Sequence, residues 1–446
     1  MTRTLIKHAA IVNEGNIQQA DVLIDQQRII KIAPTISAGH RDVIIDASEK
    51  HLLPGMIDDQ VHFREPGLTH KGSIESESRA AVAGGITSYM EMPNVNPATT
   101  SIEALENKFD IARQHSYANY SFYLGATENN LEQIKRLDPS KHCGVKVFMG
   151  ASTGNLLVEN PVALEGIFEN APTLIVTHCE SGPAIKHNTL DLLKSKSKLT
   201  IHDHHIIRDE HACFESSSYA VSLAKKYQSQ LHVLHITTEK ELSLFEPGPI
   251  EHKPITAEAC VHHLWFTEQN YKEQGNLIKC NPSIKYESDR NALFQALKTG
   301  QIDIIATDHA PHTWQEKQVP YMQAPAGLPL VQHALLTLLD HVTHKRLQLE
   351  QVVEKVAHNP AKRYGIIDRG FIREDYFADL VLVDLEKSTT STHDNSLYHC
   401  GWTPFHGHHF SSKIEATWVN GKMVFDGKDV LNNIQNASRL SFNKPK

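Results

Sequence analysis

No run of apolar residues in this sequence approaches the length of a membrane span. The opening stretch, MTRTLIKHAAIVNEG, lacks the long apolar core of a secretion signal. Cysteine is sparse: Cys143, Cys179, Cys213, Cys260, Cys280 and Cys400 are scattered without a Cys-x-x-Cys pair. That spacing fits reduced thiols in the cytoplasm better than a disulfide framework. Positive charge is also short, and a net charge of -8 argues against nucleic-acid or anionic-membrane partners. No glycine pair makes a phosphate loop, no Ser or Cys sits in a nucleophile elbow, and there are no repeats or low-complexity tracts. Histidine, by contrast, is abundant at 29 residues. Most must be structural or surface groups, so each candidate needs a positional argument.

Residues 1–53 read as short β-branched strands separated by turn residues, and the far end matches in style through ADLVLVDLE and IEATWVNGKMVFDGK. Asn420-Gly421 between two such runs is a hairpin signal. Between the ends, apolar strands alternate with helical patterns, the mark of a parallel α/β fold. Eight strand candidates fall at 53–57, 86–92, 120–125, 144–148, 173–177, 231–236, 254–259 and 302–307. Helical patterns cover 102–115, 216–227, 289–297 and 327–341, and another opens near Ser73 and stops at Gly84-Gly85. The expectation is an α/β fold: a (β/α)8 barrel over 54–374. A small composite β-sandwich would be built from 1–53 and 375–446.

The carboxyl ends of those strands carry the chemistry. The first runs into PGMIDDQVHFREPG, where strand alternation turns Gln60 and His62 to one side. The fourth holds Lys146 inside an apolar run, where a free ammonium is disfavoured. Reaction with carbon dioxide to a carbamate is one solution; reaching a neighbouring carboxylate is another, and the strand alone favours the latter. The fifth, sixth and eighth end in His178, His235 and Asp308-His309, with His312 beyond, while His232 falls on another part of its strand. Imidazole and carboxylate ligands suit zinc or a similar divalent ion, which would make hydroxide available for attack on a carbonyl. His204-His205, His262-His263, His344 and His408-His409 lack the strand-tip context and read as loop or surface residues.

These motifs resemble the amidohydrolase superfamily and, within it, the dihydroorotases. The likeness runs through PGMIDDQVHFREPGLTHKGS, MPNVNPATT, KVFMGASTGN, THCE, HITT, NPSIK, ATDHAPH and AGLP. The resemblance implies one or two Zn2+ per chain, held by His62, Lys146, His178, His235 and Asp308, with Lys146 carboxylated and bridging. It makes Asp308 the general base and acid. Arg64, Asn94 and His312 would hold a substrate carboxylate, while Asn281 and the backbone at Ala326-Gly327 would hold ring amides. The implied reaction is reversible hydrolysis of L-dihydroorotate to N-carbamoyl-L-aspartate in pyrimidine synthesis. A homodimer in the cytoplasm is implied as well.

Two departures stand out. The family's His-x-His begins here with Gln60, a weaker donor, with Asp58 another nearby candidate ligand. Lys146 stands where many bacterial relatives of this length carry Asp. Allantoinases, hydantoinases and dihydropyrimidinases share parts of the pattern. A second class of reading is a non-catalytic scaffold bound to aspartate carbamoyltransferase.

Overall fold

The computed structural model describes residues 3–150, 156–431 and 436–443. Residues 151–155, part of the KVFMGASTGN motif, lie outside them. Eight parallel strands form the centre: β1 Met56–Val61, β2 Ile86–Glu91, β3 Asn119–Phe122 (resumed at Leu124–Gly125), β4 Val145–Met149, β5 Ile175–Cys179, β6 Leu231–Val233, β7 Ile255–Cys260 and β8 Ile304–Ala306. They are hydrogen bonded in sequence order, as β1 to β3 and as Leu124–Gly125 through β8. The His62 amide donates to the His309 carbonyl at 2.7 Å and closes the ring between β8 and β1. Strands such as VKVFM and IVTHC are buried at every position, as expected when helices cover the outer face and side chains fill the inside.

The helices follow their capping residues more closely than their apolar periodicity. Ile74–Ala83 starts where the Ser73 side chain accepts from the Ser76 amide, and Ile102–His115 starts on Ser101 in the same way. Glu210–Tyr227 begins before the expected residue 216, because Asp209 caps it by accepting from the Ala212 amide. The pattern over 327–341 is helical only from Ala334 to Thr343. Pro329 disfavours a helical residue before it, and Leu328 instead bridges His309 as a strand would.

Apart from a separate pair, Thr389–Thr390 and His409–Phe410, the remaining strands form the small β-sandwich built from both termini. Lys422–Phe425, Lys413–Val419, Leu380–Asp384, His51–Pro54, Arg3–Asn13, Asn16–Asp25 and Arg28–Ala33 are hydrogen bonded in that order. Asp42–Asp46 pairs the first half of Arg3–Asn13, and His51–Pro54 pairs its second half. Between those halves the pairing with Asn16–Asp25 slips a residue at a bulge, where His8 has φ 61°. The shared core includes Ile11, Val22, Leu52, Leu380 and Trp418. Asn420 and Gly421, with φ of 48° and 75°, make the tight hairpin their sequence announced.

The expected first strand at 53–57 is two strands. The chain leaves the sandwich at Pro54 and enters the barrel at Met56. Gly55 joins them, and a Cβ there would lie 2.2 Å from the Thr87 side chain. Two stretches of the C-terminal part also leave the sandwich for the barrel. Trp402 Nε1 donates to the His312 carbonyl at 2.7 Å, and Leu440 donates to the Tyr120 carbonyl at 2.9 Å.

Candidate active site

The predicted donors gather at the carboxyl ends of the strands. Nε2 of His62 lies 3.0 Å from Asp308 Oδ1, and Gln60 Nε2 donates to the same oxygen at 3.2 Å. Across the mouth, Nδ1 of His178 lies 3.0 Å from Nε2 of His235. Lys146 is 1% exposed on β4, and its charge acts on His62, His235 and Asp308. It has no ion pair among the described residues; its Nζ lies over the Phe148 ring, 4.7 Å from the centroid. The carboxylate partner that the strand alone suggested is not there. Burial brings this amine down to about 8.

These side chains fit a divalent ion. Donors bonded tetrahedrally to zinc at 2.0–2.1 Å stand about 3.3 Å apart. The His62–Asp308 and His178–His235 pairs are already near that spacing. His62 and His235 are kept neutral by burial, as a metal ligand must be. Burial also pushes the Asp308 carboxyl up, but His62, His262 and Lys146 outweigh it and hold it below the ordinary carboxylate value. Asp308 is therefore an ionised base at neutral pH. Asp58 does not join this set. Its oxygens accept from the Thr307 amide at 3.1 Å and the Thr307 hydroxyl at 2.6 Å, tying β1 to the end of β8.

The backbone is strained at this site. Arg64, His235 and Asp308 have φ of 73°, 39° and 49°. Such conformations cost non-glycine residues about 1–3 kcal/mol each and persist where the surroundings over-determine them. The strain turns each side chain into the mouth just after its strand ends.

Beside the donors lies a second group with a different character. Arg64 is 6% exposed; its Nε donates to the Pro311 carbonyl at 3.0 Å, and one terminal nitrogen lies 3.0 Å from His312 Nε2. Burial lowers its pKa to about 10, and it has no ion pair among the described residues. Lys71, which sequence reasoning missed, reaches His312 Nδ1 at 3.1 Å and Glu316 at 3.1 Å. His312 Nε2 also lies 3.0 Å from the Ala326 carbonyl, and Gly327 donates to the Lys279 carbonyl at 2.8 Å, so the Ala326-Gly327 loop meets the stretch leading to Asn281. A Cβ on Gly327 would lie 2.4 Å from the Ala310 carbonyl, so only glycine fits. Asn281 Oδ1 is buried without a hydrogen-bond partner. Asn94 Oδ1 accepts from His62 Nδ1 at 2.7 Å, which turns Nε2 of that ring toward Asp308.

Residues away from the strand tips support these donors. Glu180 lies 3.0 Å from His178 Nε2 and accepts from Arg208 at 2.5 Å. Burial pushes its carboxyl up, but Arg208 and His178 outweigh it and hold it down at about 2. Its place two residues after His178 was the available signal. His204, His262 and His263, expected in loops or at the surface, are 1%, 1% and 4% exposed. His204 bonds the Cys280 carbonyl and the Tyr321 hydroxyl, both at 2.8 Å, and the other two lie just beyond β7. His344 and His409 have the exposed positions expected. Deeper in the barrel, His232 Nε2 lies 3.3 Å from Asp59 and 3.7 Å from Glu258, all fully buried. Burial opposes the charge on His232, yet the two carboxylates raise its pKa to about 9, so it is a cation between them.

The amidohydrolase family model matches residues 51–424. A dihydroorotase of Methanosphaera stadtmanae is 31% identical over 438 residues, covering 96% of this chain and 98% of that protein. One from Halobacterium salinarum is 31% identical, covering 94% and 96%. Among solved structures, an L-hydantoinase (dihydropyrimidinase) from Arthrobacter aurescens superposes with a TM-score of 0.91 at 25% identity, covering 97% and 98%. A dihydropyrimidinase from Brevibacillus agri, at TM-score 0.89 and 21% identity, shares the fold. A barrel with donors at its strand tips, joined to a sandwich from both ends, is thus found with sequence similarity through nearly its whole length, and the chain belongs to the amidohydrolase family.

Proposed function

We propose that this protein is a dihydroorotase, a hydrolase that opens the cyclic amide of L-dihydroorotate to N-carbamoyl-L-aspartate and closes it again. The observation that carries the reading is the uncompensated positive charge of Arg64, buried beside His312 and Lys71 next to the Asp308 base. A buried guanidinium without a carboxylate is costly unless the substrate supplies one. Dihydroorotate carries a ring carboxylate, whereas an unsubstituted hydantoin does not. The curated relatives at 31% identity bear the same name.

Zinc is the ion that His62, His178, His235 and Asp308 suit, with Lys146 as a carbamate completing the set. The neutral fraction of the buried Lys146 amine, enlarged by its lowered pKa, can attack carbon dioxide and release one proton, giving an anionic ligand of two oxygens. A bound divalent ion supplies Lewis acidity to the scissile carbonyl and makes water a better nucleophile at neutral pH. Arg64 and His312 orient the substrate through its carboxylate, and Asn281 Oδ1 accepts from a ring N–H. Asp308 takes the proton from the attacking water and delivers it to the departing amide nitrogen. The six free cysteines suit the cytoplasm as the working compartment. No helix among the described residues is long and apolar enough to cross a membrane.

The test is ring opening and ring closure by the purified chain with zinc supplied, with allantoin and hydantoin run in parallel. Turnover of dihydroorotate well above the other two is expected. Preference for either of them would overturn the substrate assignment, and no turnover of any would favour a scaffold.

A further inference from the structure

Two groups of three buried ligand-type side chains stand apart from the donors described above: Asp59, His232 and Glu258 inside the barrel, and Cys260, His262 and His263 at the end of β7. The first carries its own cation, because protonated His232 lies between the two carboxylates. The second has no cation and an excess of unused lone pairs. Neither Nδ1 nor Nε2 of His262 has a hydrogen-bond partner, nor does Nδ1 of His263, although both rings are at least nine-tenths buried. His263 donates from Nε2 to the Pro282 carbonyl at 3.1 Å, so its neutral ring presents a bare lone pair at Nδ1 with no donor facing it. A buried polar atom left in this state is destabilising until something pairs it.

We propose that Cys260, His262 and His263 form a second metal site, for zinc or another thiolate-seeking divalent ion, distinct from the His62/His178/His235/Asp308 set. One ligand atom from each of the three lies within 4.8 Å of the others, and Cys260 is fully buried. A thiolate with imidazoles is a donor set that selects zinc over magnesium or calcium. Gln60 supplies a fourth position: its Oε1 lies 3.8 Å from Cys260 Sγ, close to the roughly 3.6 Å that separates sulfur and oxygen on a tetrahedral zinc. Coordination requires the thiolate. As the ion binds, the thiol gives up its proton, and Glu258 Oε1, 3.4 Å from Sγ, is an acceptor in place for it. The residue standing where the family motif has histidine thus gains a use: it faces a sulfur ligand across β8, the one strand between β1 and β7.

Cobalt substitution tests this, because the other donor set contains no sulfur. The cobalt-loaded full chain is expected to show near-ultraviolet thiolate-to-cobalt charge-transfer absorption. Cys260→Ser is expected to abolish that absorption and lower metal content by one ion per chain, while Cys179→Ser, at the thiol that ends β5, retains both. His262→Asn keeps the thiol and is expected to lose the same ion, which preserves the test if the serine variant does not fold. Absence of the absorption in the wild type overturns the proposal. So does its persistence, with unchanged metal content, in both Cys260→Ser and His262→Asn, and so does its dependence on Cys179.

Discussion

Two polar clusters made of the same residue types sit one above the other in this barrel, and they are built on opposite principles. In the interior, protonated His232 supplies the counter-charge to Asp59 and Glu258. Tyr364 donates to Asp59 at 2.8 Å and Thr256 pairs His232 Nδ1 at 2.7 Å, and although His232 Nε2, Asp59 Oδ1 and Glu258 Oε2 lack hydrogen bonds, the ring stands within ion-pair distance of both carboxylates. At the mouth, Arg64 has no counter-ion among the described residues, Asn281 Oδ1 has no donor, and two pairs of ligand atoms crowd to 3.0 Å. Backbone strain follows the same division: Arg64, His235 and Asp308 have left-handed φ, whereas Asp59, His232 and Glu258 do not. Burial therefore does not mark the site. Uncompensated polarity held by strain marks it.

The sharpest way to break this comparison is to exchange the consequences of mutation between the clusters. Asp308→Asn keeps a residue that tolerates positive φ, so the fold should survive while kcat falls about 10²–10⁴-fold. Steady-state kinetics beside a urea melt checks both halves. His232→Asn should do the reverse. Two buried carboxylates lose their cation, at a cost of about 3–5 kcal/mol in unfolding free energy, while the folded fraction still turns over. If His232→Asn instead removed activity without loss of stability, the interior cluster would belong to the chemistry and the division would fail. Arg64→Gln is smaller again. Loss of a charge-assisted contact worth about 1.5–3 kcal/mol should lower kcat/KM about 10- to 100-fold, chiefly through KM. An effect on kcat alone would mean that Arg64 does not hold the substrate in its ground state.

The eight strands were legible as short apolar runs between helical patterns, and the tips carrying His62, His178, His235 and Asp308 because such a run ends in polar residues, a local pattern. Lys146 showed itself in the same way, as a cation inside such a run. Helix starts were legible where a serine cap preceded the apolar face, as at Ser73, and misread where Asp209 stood upstream of a weakly periodic stretch. The burial of His262 and His263 was not legible. They leave β7 on a short helix, Val261–Trp265, and are enclosed by the segment around Cys280 to Pro282, which is remote from any local pattern. Lys71 was invisible for the same reason: its partners His312 and Glu316 lie more than 240 residues along the chain. Charge compensation is a long-range property, so the sequence shows which residues could do chemistry more readily than which of them are already satisfied.

Glu180 tests the boundary between the two principles. It is paired like the interior cluster, by Arg208, yet it serves the mouth by holding Nε2 of His178, so that Nδ1 faces His235. Glu180→Gln keeps the shape and removes the charge. A carboxylate behind a metal-binding imidazole raises its basicity and fixes its orientation, and losing one typically costs about 10- to 100-fold in metal affinity. The expected effect here is nearer the lower figure, because the Gln carbonyl can still accept from the ring; competition with a chelator measures it. Stability should respond with a definite sign in metal-free protein. The folded pKa of Glu180, about 2, lies below its unfolded value near 4.5. Its stabilisation is therefore present above pH 4.5 and lost as pH falls toward 2. Urea midpoints of wild type and Glu180→Gln should accordingly differ most near pH 6 and converge on acidification to pH 3. A gap that widened on acidification would mean that Arg208 and His178 do not hold this carboxylate ionised, and Glu180 would then belong with the uncompensated groups of the mouth.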